Sequence, residues 1–246
     1  MKIVRIEEAN SNQSHAELKS DGKCYRIDGN IFKTPTVSDV EIKGKLLSPI
    51  TPVAIFCIGL NYRKHAEETG AKIPKWPVVF AKGPGSVVAS GDNIVLPRTL
   101  RSDKVDYEGE LAIVIGKTCK NVKSSEALSY VLGYCCGNDV SARDWQKEKG
   151  GGQYCRGKMF DTFCPLGPHI VTTNEIPNPN LLELKTYVNG ELLQQTNTSD
   201  MIFDVATIIE FLSGSTTLPA GTVILTGTPS GVGMAAQPQR WLHLHQ

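Results

Sequence analysis

Two glutamates, Glu108 and Glu110, lie two positions apart immediately before the apolar run 111–115. In a β-strand, side chains two positions apart project from the same face, so the two carboxylates would lie side by side. A third carboxylate, that of Asp139, follows the stretch 131–138. Three carboxylates with no neighbouring cysteine or histidine pair suit Mg²⁺, Mn²⁺ or Ca²⁺ better than zinc or copper. The pattern indicates a site for a hard divalent cation, although Glu-x-Glu alone is also typical of an exposed strand face.

A second pair of residues that could do chemistry is His65 and Glu68. The segment 62–70 ends in a glycine and predicts a short helix, on which residues three apart share a face. A carboxylate that contacts a histidine fixes its tautomer and favours the imidazolium, which is the arrangement of a general base. From helical periodicity alone, a surface histidine beside a surface glutamate is the simpler interpretation.

Further motifs accompany these residues, and each of them alone is weak evidence. In chain order the set is Gly59-Leu60-Asn61-Tyr62-x-x-His65, Glu108-x-Glu110, Asp139-Val140-Ser141-Ala142-Arg143-Asp144, Gly157-Lys158-x-Phe160-Asp161 and Thr226-Gly227-Thr228-Pro229-x-Gly231-Val232-Gly233. With these motifs in this order, the sequence resembles the fumarylacetoacetate hydrolase family. Within that family it is most similar to the branch called fumarylacetoacetate hydrolase domain-containing protein 2.

The resemblance implies a fold and a site. The fold would be α+β, with mixed and antiparallel β-sheets packed into a β-sandwich roll and few short helices. One Mg²⁺ or Mn²⁺ would bind to Glu108, Glu110 and Asp139. The other implied roles are a general base formed by His65 and Glu68, an active-site cation at Lys158, and substrate binding by Arg143, Gln146 and Thr228.

The resemblance also implies an activity on small 2-oxo acids and β-dicarbonyl acids. We expect hydrolysis of a carbon–carbon bond in an acylpyruvate, in which the histidine–glutamate pair activates water and the metal stabilises an enolate. The same site without the attacking water would tautomerise or decarboxylate oxaloacetate, and the sequence does not separate these reactions. A non-catalytic, metal-stabilised structural protein is the alternative of another class.

Composition excludes several other classes of function. Lysine plus arginine (26) nearly balances aspartate plus glutamate (25), whereas surfaces that bind nucleic acid or anionic membranes normally carry a basic excess. No apolar run reaches transmembrane length, and the N-terminus resembles neither a signal peptide nor a transit peptide. The seven cysteines are an odd number without metal-ligand spacing, which indicates reduced thiols. We therefore expect a cytoplasmic protein whose partner is a small 2-oxo acid.

The chain divides into a β-rich N-terminal segment, residues 1–50, and a catalytic domain, residues 51–246. Strands are expected at 77–82, 93–97, 107–116 and 131–140, and a helix at 123–131 that Ser124 caps. Asn189-Gly190 predicts a β-hairpin, and Asp204 predicts the N-cap of a helix that stops at Gly214.

The C-terminus differs from the pattern that the resemblance implies. Family members continue past the glycine turn with further strands, whereas this sequence ends at Gln246. We expect an unpaired sheet edge there, and therefore a homodimer or larger assembly. His243 and His245 alternate and could imitate a pair of metal ligands, but terminal residues are usually loosely held.

Overall fold

The computed structural model describes residues 1–243, so the histidine predicted as a possible ligand at position 245 lies outside the described residues. Sixteen strands lie within the described part of the chain. They are β1 (Lys2–Glu7), β2 (Gln13–Leu18), β3 (Cys24–Asp28), β4 (Thr36–Glu41), β5 (Lys45–Leu47), β6 (Ala54–Gly59), β7 (Val78–Lys82), β8 (Val87–Ala89), β9 (Val105–Asp106), β10 (Gly109–Ile115), β11 (Val131–Asn138), β12 (Ser141–Ala142), β13 (Cys164–Thr172), β14 (Glu183–Val188), β15 (Glu191–Asn197) and β16 (Thr222–Leu225).

The helices are few and short. They are α1 (Arg63–Glu68), α2 (Ser124–Ala127), α3 (Tyr154–Lys158), α4 (Val205–Ser213) and a π-helical turn, Trp145–Lys149. Asp204 caps α4 as predicted, because its Oδ1 accepts a hydrogen bond of 2.8 Å from the Thr207 N–H. Within residues 1–243, none of the helices has the length and apolar character needed to span a membrane.

Twelve of the strands form one mixed sheet. Its main order is β4-β3-β2-β1-β13-β11-β10-β16-β6-β7, with β5 paired to β1 and β8 paired to β13. Neighbouring strands are antiparallel except for β16 with β6 and β8 with β13, which are parallel. The N-terminal strands continue the same sheet through the pairing of β1 with β13. The α+β architecture with a mixed sheet and few short helices is confirmed.

Strand β10 lies in the middle of this sheet and is buried on both faces. Leu111, Ile113 and Ile115 belong to an apolar cluster that also includes α4, whereas Ala112 and Val114 belong to a second cluster on the opposite face. This double burial explains why the strand is an uninterrupted apolar run rather than an alternating one. A strand held on both faces is a rigid support for the two glutamates at its start.

Three local predictions have different outcomes. The β14–β15 hairpin turns at Asn189 and Gly190, both with positive φ, as predicted. The strand predicted at 93–97 is wrong, because this segment is irregular and its Ile94 and Leu96 pack against a small apolar cluster. The predicted N-cap at Ser124 is also wrong, since this residue is the first residue of α2 and Lys123 precedes it. All seven cysteines are free, as predicted.

Candidate active site

The three carboxylates predicted to bind metal lie together. Glu108 lies between β9 and β10, Glu110 is in β10, and Asp139 directly follows β11. The antiparallel pairing of β10 with β11 sets Glu110 opposite Gly137, and the Asp139 N–H donates to the Glu108 carbonyl at 2.9 Å. All three side chains are buried, and one ligand oxygen from each lies within 4.8 Å of the others.

Three cations surround these carboxylates. Lys158 Nζ lies 2.7 Å from Glu108 Oε2 and 2.7 Å from Asp139 Oδ2. Arg143 Nη2 lies 2.7 Å from Glu108 Oε1. On the other side, Lys82 Nζ donates to Asp139 Oδ1 at 2.7 Å and to the Val140 carbonyl at 3.2 Å. Glu108 and Asp139 are therefore each neutralised by two cations.

The neighbouring charges shift the pKa values of Glu108 and Glu110 in opposite directions. Burial opposes ionisation of Glu108, but the charges of Arg143 and Lys158 hold the pKa of its carboxyl well below the usual range. For Glu110, burial and then the negative charges of Asp139 and Glu108 raise the pKa well above 4.5. Its Oε2 accepts a hydrogen bond of 2.7 Å from the Gly227 N–H. Among residues 1–243, Glu110 is thus the member of the triad without a direct ion pair to a cation.

These residues fit a hard divalent cation. The donor set is entirely carboxylate oxygen, which suits Mg²⁺ or Mn²⁺ and offers no soft ligand for copper or zinc. Glu110 has no ion-pair partner among residues 1–243, and a cation at the triad would supply the missing charge. The cluster could therefore hold a divalent metal ion.

Lys82 is a site residue that the sequence analysis missed. It lies at the end of β7, and its side chain is fully buried against Asp139. The sequence prediction recognised the strand but gave no role to its lysine, because lysine is rarely fully buried. No local signal distinguishes it, since its partner is 57 positions away.

Removal of this buried cation is expected to destabilise the protein. In Lys82→Met, Asp139 keeps Lys158 but loses one of its two charge partners, and such a loss costs on the order of 3 kcal/mol. Urea unfolding of the metal-free protein measures it. The matched control is Lys45→Met, because Lys45 pairs with Asp92 at the solvent-exposed surface and should change little. Equal stability of Lys82→Met and the parent would contradict the ion pair.

Asp106 is a second missed residue, and it is fully buried. Its Oδ2 accepts from Arg143 Nε at 2.9 Å, and its Oδ1 accepts from the Gly233 N–H at 2.8 Å. The carboxylate therefore joins the arginine to the glycine turn that follows β16. Because Arg143 also contacts Glu108, Asp106 fixes the orientation of the guanidinium at the triad.

The histidine–glutamate pair is formed as the helical spacing predicts. His65 Nδ1 lies 3.1 Å from Glu68 Oε2, and His65 is buried. The other oxygen of Glu68, Oε1, accepts a hydrogen bond of 2.8 Å from the Gly231 N–H. Because Nδ1 faces the carboxylate, Nε2 is the ring nitrogen left for another partner.

One cavity of about 230 Å³ joins the two groups of residues. Its wall includes seven of the nine predicted site residues: His65, Glu108, Glu110, Lys158, Arg143, Gln146 and Thr228. Glu68 and Asp139 lie behind the wall and contact it through His65 and Lys158. Gln146 Oε1 accepts from Arg143 Nη1 at 3.1 Å, and the Thr228 hydroxyl accepts from Gln194 Nε2 at 2.8 Å. The structure thus brings the predicted residues together, while their roles stay predictions.

Comparison with known proteins identifies the class to which this fold and site belong. Residues 54–244 match the family model described as "Fumarylacetoacetate (FAA) hydrolase C-terminal". This match covers well over half of the chain, so the chain belongs to the fumarylacetoacetate hydrolase family, and the resemblance inferred from the motifs is confirmed.

Individual relatives carry different names. A fumarylacetoacetate hydrolase domain-containing protein 2 homolog of Dictyostelium discoideum is 48% identical over 93% of this chain and 77% of its own length. A mitochondrial oxaloacetate tautomerase (fahd2) of Xenopus laevis is 48% identical over 80% of this chain, which spans only 61% of that relative. The solved 2-hydroxyhepta-2,4-diene-1,7-dioate isomerase of Mycobacterium marinum is 40% identical with a TM-score of 0.82, over 95% of this chain and 89% of that one. The family is therefore one of enzymes, and it includes tautomerases and isomerases.

Proposed function

We propose that this protein catalyses the keto–enol tautomerisation of a small 2-oxo dicarboxylic acid, with oxaloacetate as the first substrate to test. The observation that carries the proposal is the single cavity onto which both His65 and the carboxylates Glu108 and Glu110 open. A tautomerisation moves one proton between carbon and oxygen, and it needs a base beside a group that stabilises oxygen charge. Support also comes from the relative named oxaloacetate tautomerase.

The cofactor in this proposal is Mg²⁺ or Mn²⁺, held by Glu108, Glu110 and Asp139. When bound, the ion would offset the negative charge that builds on the oxygens of the substrate as the proton leaves. Lys158 would add positive charge on the same side, because its ammonium already contacts two of the three carboxylates.

The protein residues would move and orient the proton and the substrate. In the keto-to-enol direction, His65 would accept the proton from C3 through Nε2 and deliver it to the oxygen on C2. In the reverse direction it would take the proton from that oxygen and return it to C3. Glu68 stabilises the imidazolium, and the Gly231 N–H holds Glu68 in place. Gln146 directs its carbonyl oxygen at Arg143, so its NH₂ group can donate to the substrate carboxylate, beside the Thr228 hydroxyl.

The carbon–carbon hydrolysis predicted from the sequence is the second candidate. The observation that favours it is the same contact of His65 with Glu68, because a histidine held by a carboxylate can also deprotonate a water molecule. In that reaction the water attacks the distal carbonyl of an acylpyruvate, and Lys158 stabilises the oxyanion.

An activity panel separates the candidates. The purified protein with Mg²⁺ is mixed with enol-oxaloacetate in dilute buffer at low temperature, where the uncatalysed reaction is slow, and the loss of enol absorbance is recorded. Parallel assays measure acylpyruvate cleavage and carbon dioxide release from oxaloacetate. We expect rapid, chelator-sensitive loss of the enol. Cleavage of acylpyruvate without acceleration of the enol reaction would replace the proposal with the hydrolase, and inactivity in all three assays would contradict both.

The assembly and location of the protein also stay predictions. We propose a homodimer. The unpaired edge expected near the C-terminus is not found within residues 1–243, because the last strand, β16, pairs with β10 on one side and β6 on the other. The support comes instead from β7, which ends the order of the sheet and leaves Val78 and Val79 partly exposed. The cytoplasmic location is likewise a proposal from the sequence, and the Xenopus relative carries the word mitochondrial in its name.

A further inference from the structure

We propose that Lys147 binds the distal carboxylate of the substrate and so makes the site selective for 2-oxo dicarboxylic acids over monocarboxylic ones. This inference rests on the proposed function, because it names what distinguishes a good substrate of that site. It concerns a residue outside the family motifs, and the sequence analysis gave it no role.

The first argument is the state of the cations in the cavity wall. Arg143, Lys147 and Lys158 all line it. The guanidinium of Arg143 lies against Asp106 and Glu108, and the ammonium of Lys158 lies between Glu108 and Asp139, so both charges are neutralised by the protein. The Lys147 ammonium has no hydrogen bond or ion pair within residues 1–243. Among the described residues that line the cavity, it is therefore the cation whose charge no carboxylate of the protein already neutralises.

The second argument is the local backbone. Lys147 lies in the π-helical turn Trp145–Lys149, four positions after Arg143. Residues four apart on a helix lie nearly on the same side, and Arg143 and Lys147 both line the cavity. Lys149, in the same turn, points elsewhere: its Nζ pairs with Asp144 at 2.9 Å and lies 5.4 Å from the Trp145 ring centroid. Lys147 thus lines the cavity, whereas Lys149 is paired with Asp144.

The third argument is the chemistry of the remaining wall. Beyond the polar site residues, the cavity is lined largely by apolar groups, among them Ile58, Leu60, Phe80 and Met234. The methyl end of a monocarboxylic 2-oxo acid suits such a wall. A second carboxylate would lose water there and needs a positive partner. Lys147 is solvent-exposed, so its attraction for an anion at the mouth of the cavity acts through a high dielectric and decreases with added salt.

The test uses two stable 2-oxo acids of five carbons, 2-oxoglutarate and 2-oxovalerate, which differ in a terminal carboxylate against a methyl group. Their affinities for the Mg²⁺-loaded protein are measured by calorimetry at low and high salt. We expect the parent to prefer 2-oxoglutarate, and Lys147→Met to bind it about tenfold more weakly with 2-oxovalerate unchanged. The preference of the parent should decrease at high salt. Lys149→Met is the matched control, and it should bind both acids like the parent.

Three outcomes would overturn the inference. They are a parent protein without preference for 2-oxoglutarate, an equal loss of both acids in Lys147→Met, and the same loss in Lys149→Met. Because the measurement is of binding and not of turnover, it is independent of the oxaloacetate assay. A protein that fails to tautomerise oxaloacetate but shows the Lys147-dependent preference would contradict the proposed reaction and support the role of Lys147.

Discussion

His65→Ala is expected to lower kcat by about 10²–10⁴-fold, the usual contribution of a positioned general base. The imidazole is buried, lies in the wall of the cavity and contacts Glu68 at 3.1 Å, so it is held where it can exchange a proton with a bound acid. Steady-state kinetics on enol-oxaloacetate, or on whichever acid of the panel is turned over, measures the loss. Metal affinity and thermal stability should stay close to those of the parent, because His65 forms its hydrogen bond with Glu68 and none with the three carboxylates of the triad.

Variants at the neighbouring glutamates refine this test. Glu68→Gln should lose less activity than His65→Ala, because the imidazole remains and the amide oxygen can still accept from the Gly231 N–H. The Glu68→Gln variant would lack the negative charge that stabilises the imidazolium. Glu67→Gln is the matched control, since this exposed side chain lies about 100° around the helix from Glu68.

Two results would contradict the general base. If His65→Ala turns over as fast as the parent, the proton is moved by another group. If Glu67→Gln is the damaging variant and Glu68→Gln is not, the residue that orients the histidine has been assigned wrongly.

The parts of the site that the sequence predicted are those that depend on local periodicity. Glu108 and Glu110 were paired by the two-residue repeat of extended backbone, and His65 and Glu68 by the three-residue spacing of a helix. Asp139 was added to the two glutamates because a hard cation needs further oxygen ligands and because the family resemblance places it there. The pairing of β10 with β11 that brings it to them is a contact between separate segments. For the architecture as a whole, the family resemblance was the decisive information.

The parts that the sequence did not predict depend on contacts between distant segments. Lys82 reaches Asp139 because β7 and β11 end near each other, and Asp106 reaches the Gly233 N–H across 127 positions. Neither residue stands out locally, since a lysine or an aspartate is usually solvent-exposed. The wrong prediction of a strand at 93–97 has the same cause. Its apolar residues favour extended backbone, and Ile94 and Leu96 do pack against an apolar cluster. A strand also needs a hydrogen-bonding partner, and the local sequence does not show whether another segment supplies one.

Glu110→Gln is expected to separate metal binding from stability. The amide keeps the shape of the side chain, and its oxygen can accept the hydrogen bond from the Gly227 N–H. It removes a charged ligand from a site of three, so the dissociation constant for Mg²⁺ should rise by more than about 100-fold. Calorimetric titration with MgCl₂ measures this loss, and Glu126→Gln, at an exposed position, is the matched control.

Glu110→Gln should weaken Mg²⁺ binding but should not destabilise the metal-free protein. Burial and the charges of Asp139 and Glu108 raise the pKa of Glu110 well above 4.5, so the folded protein disfavours its ionised form. The contribution of this carboxyl to stability is therefore complete below pH 4.5 and is lost as the pH rises through the raised pKa of the folded state. Glutamine is neutral at every pH, so metal-free Glu110→Gln should be at least as stable as the parent at pH 8 in urea unfolding.

In the parent, Mg²⁺ displaces the proton on Glu110, so the affinity for Mg²⁺ should increase with pH, and this dependence should be weaker in the variant. Unchanged Mg²⁺ affinity in Glu110→Gln would contradict the metal site, and a metal-free variant much less stable than the parent at pH 8 would show that Glu110 is ionised and paired in the folded protein.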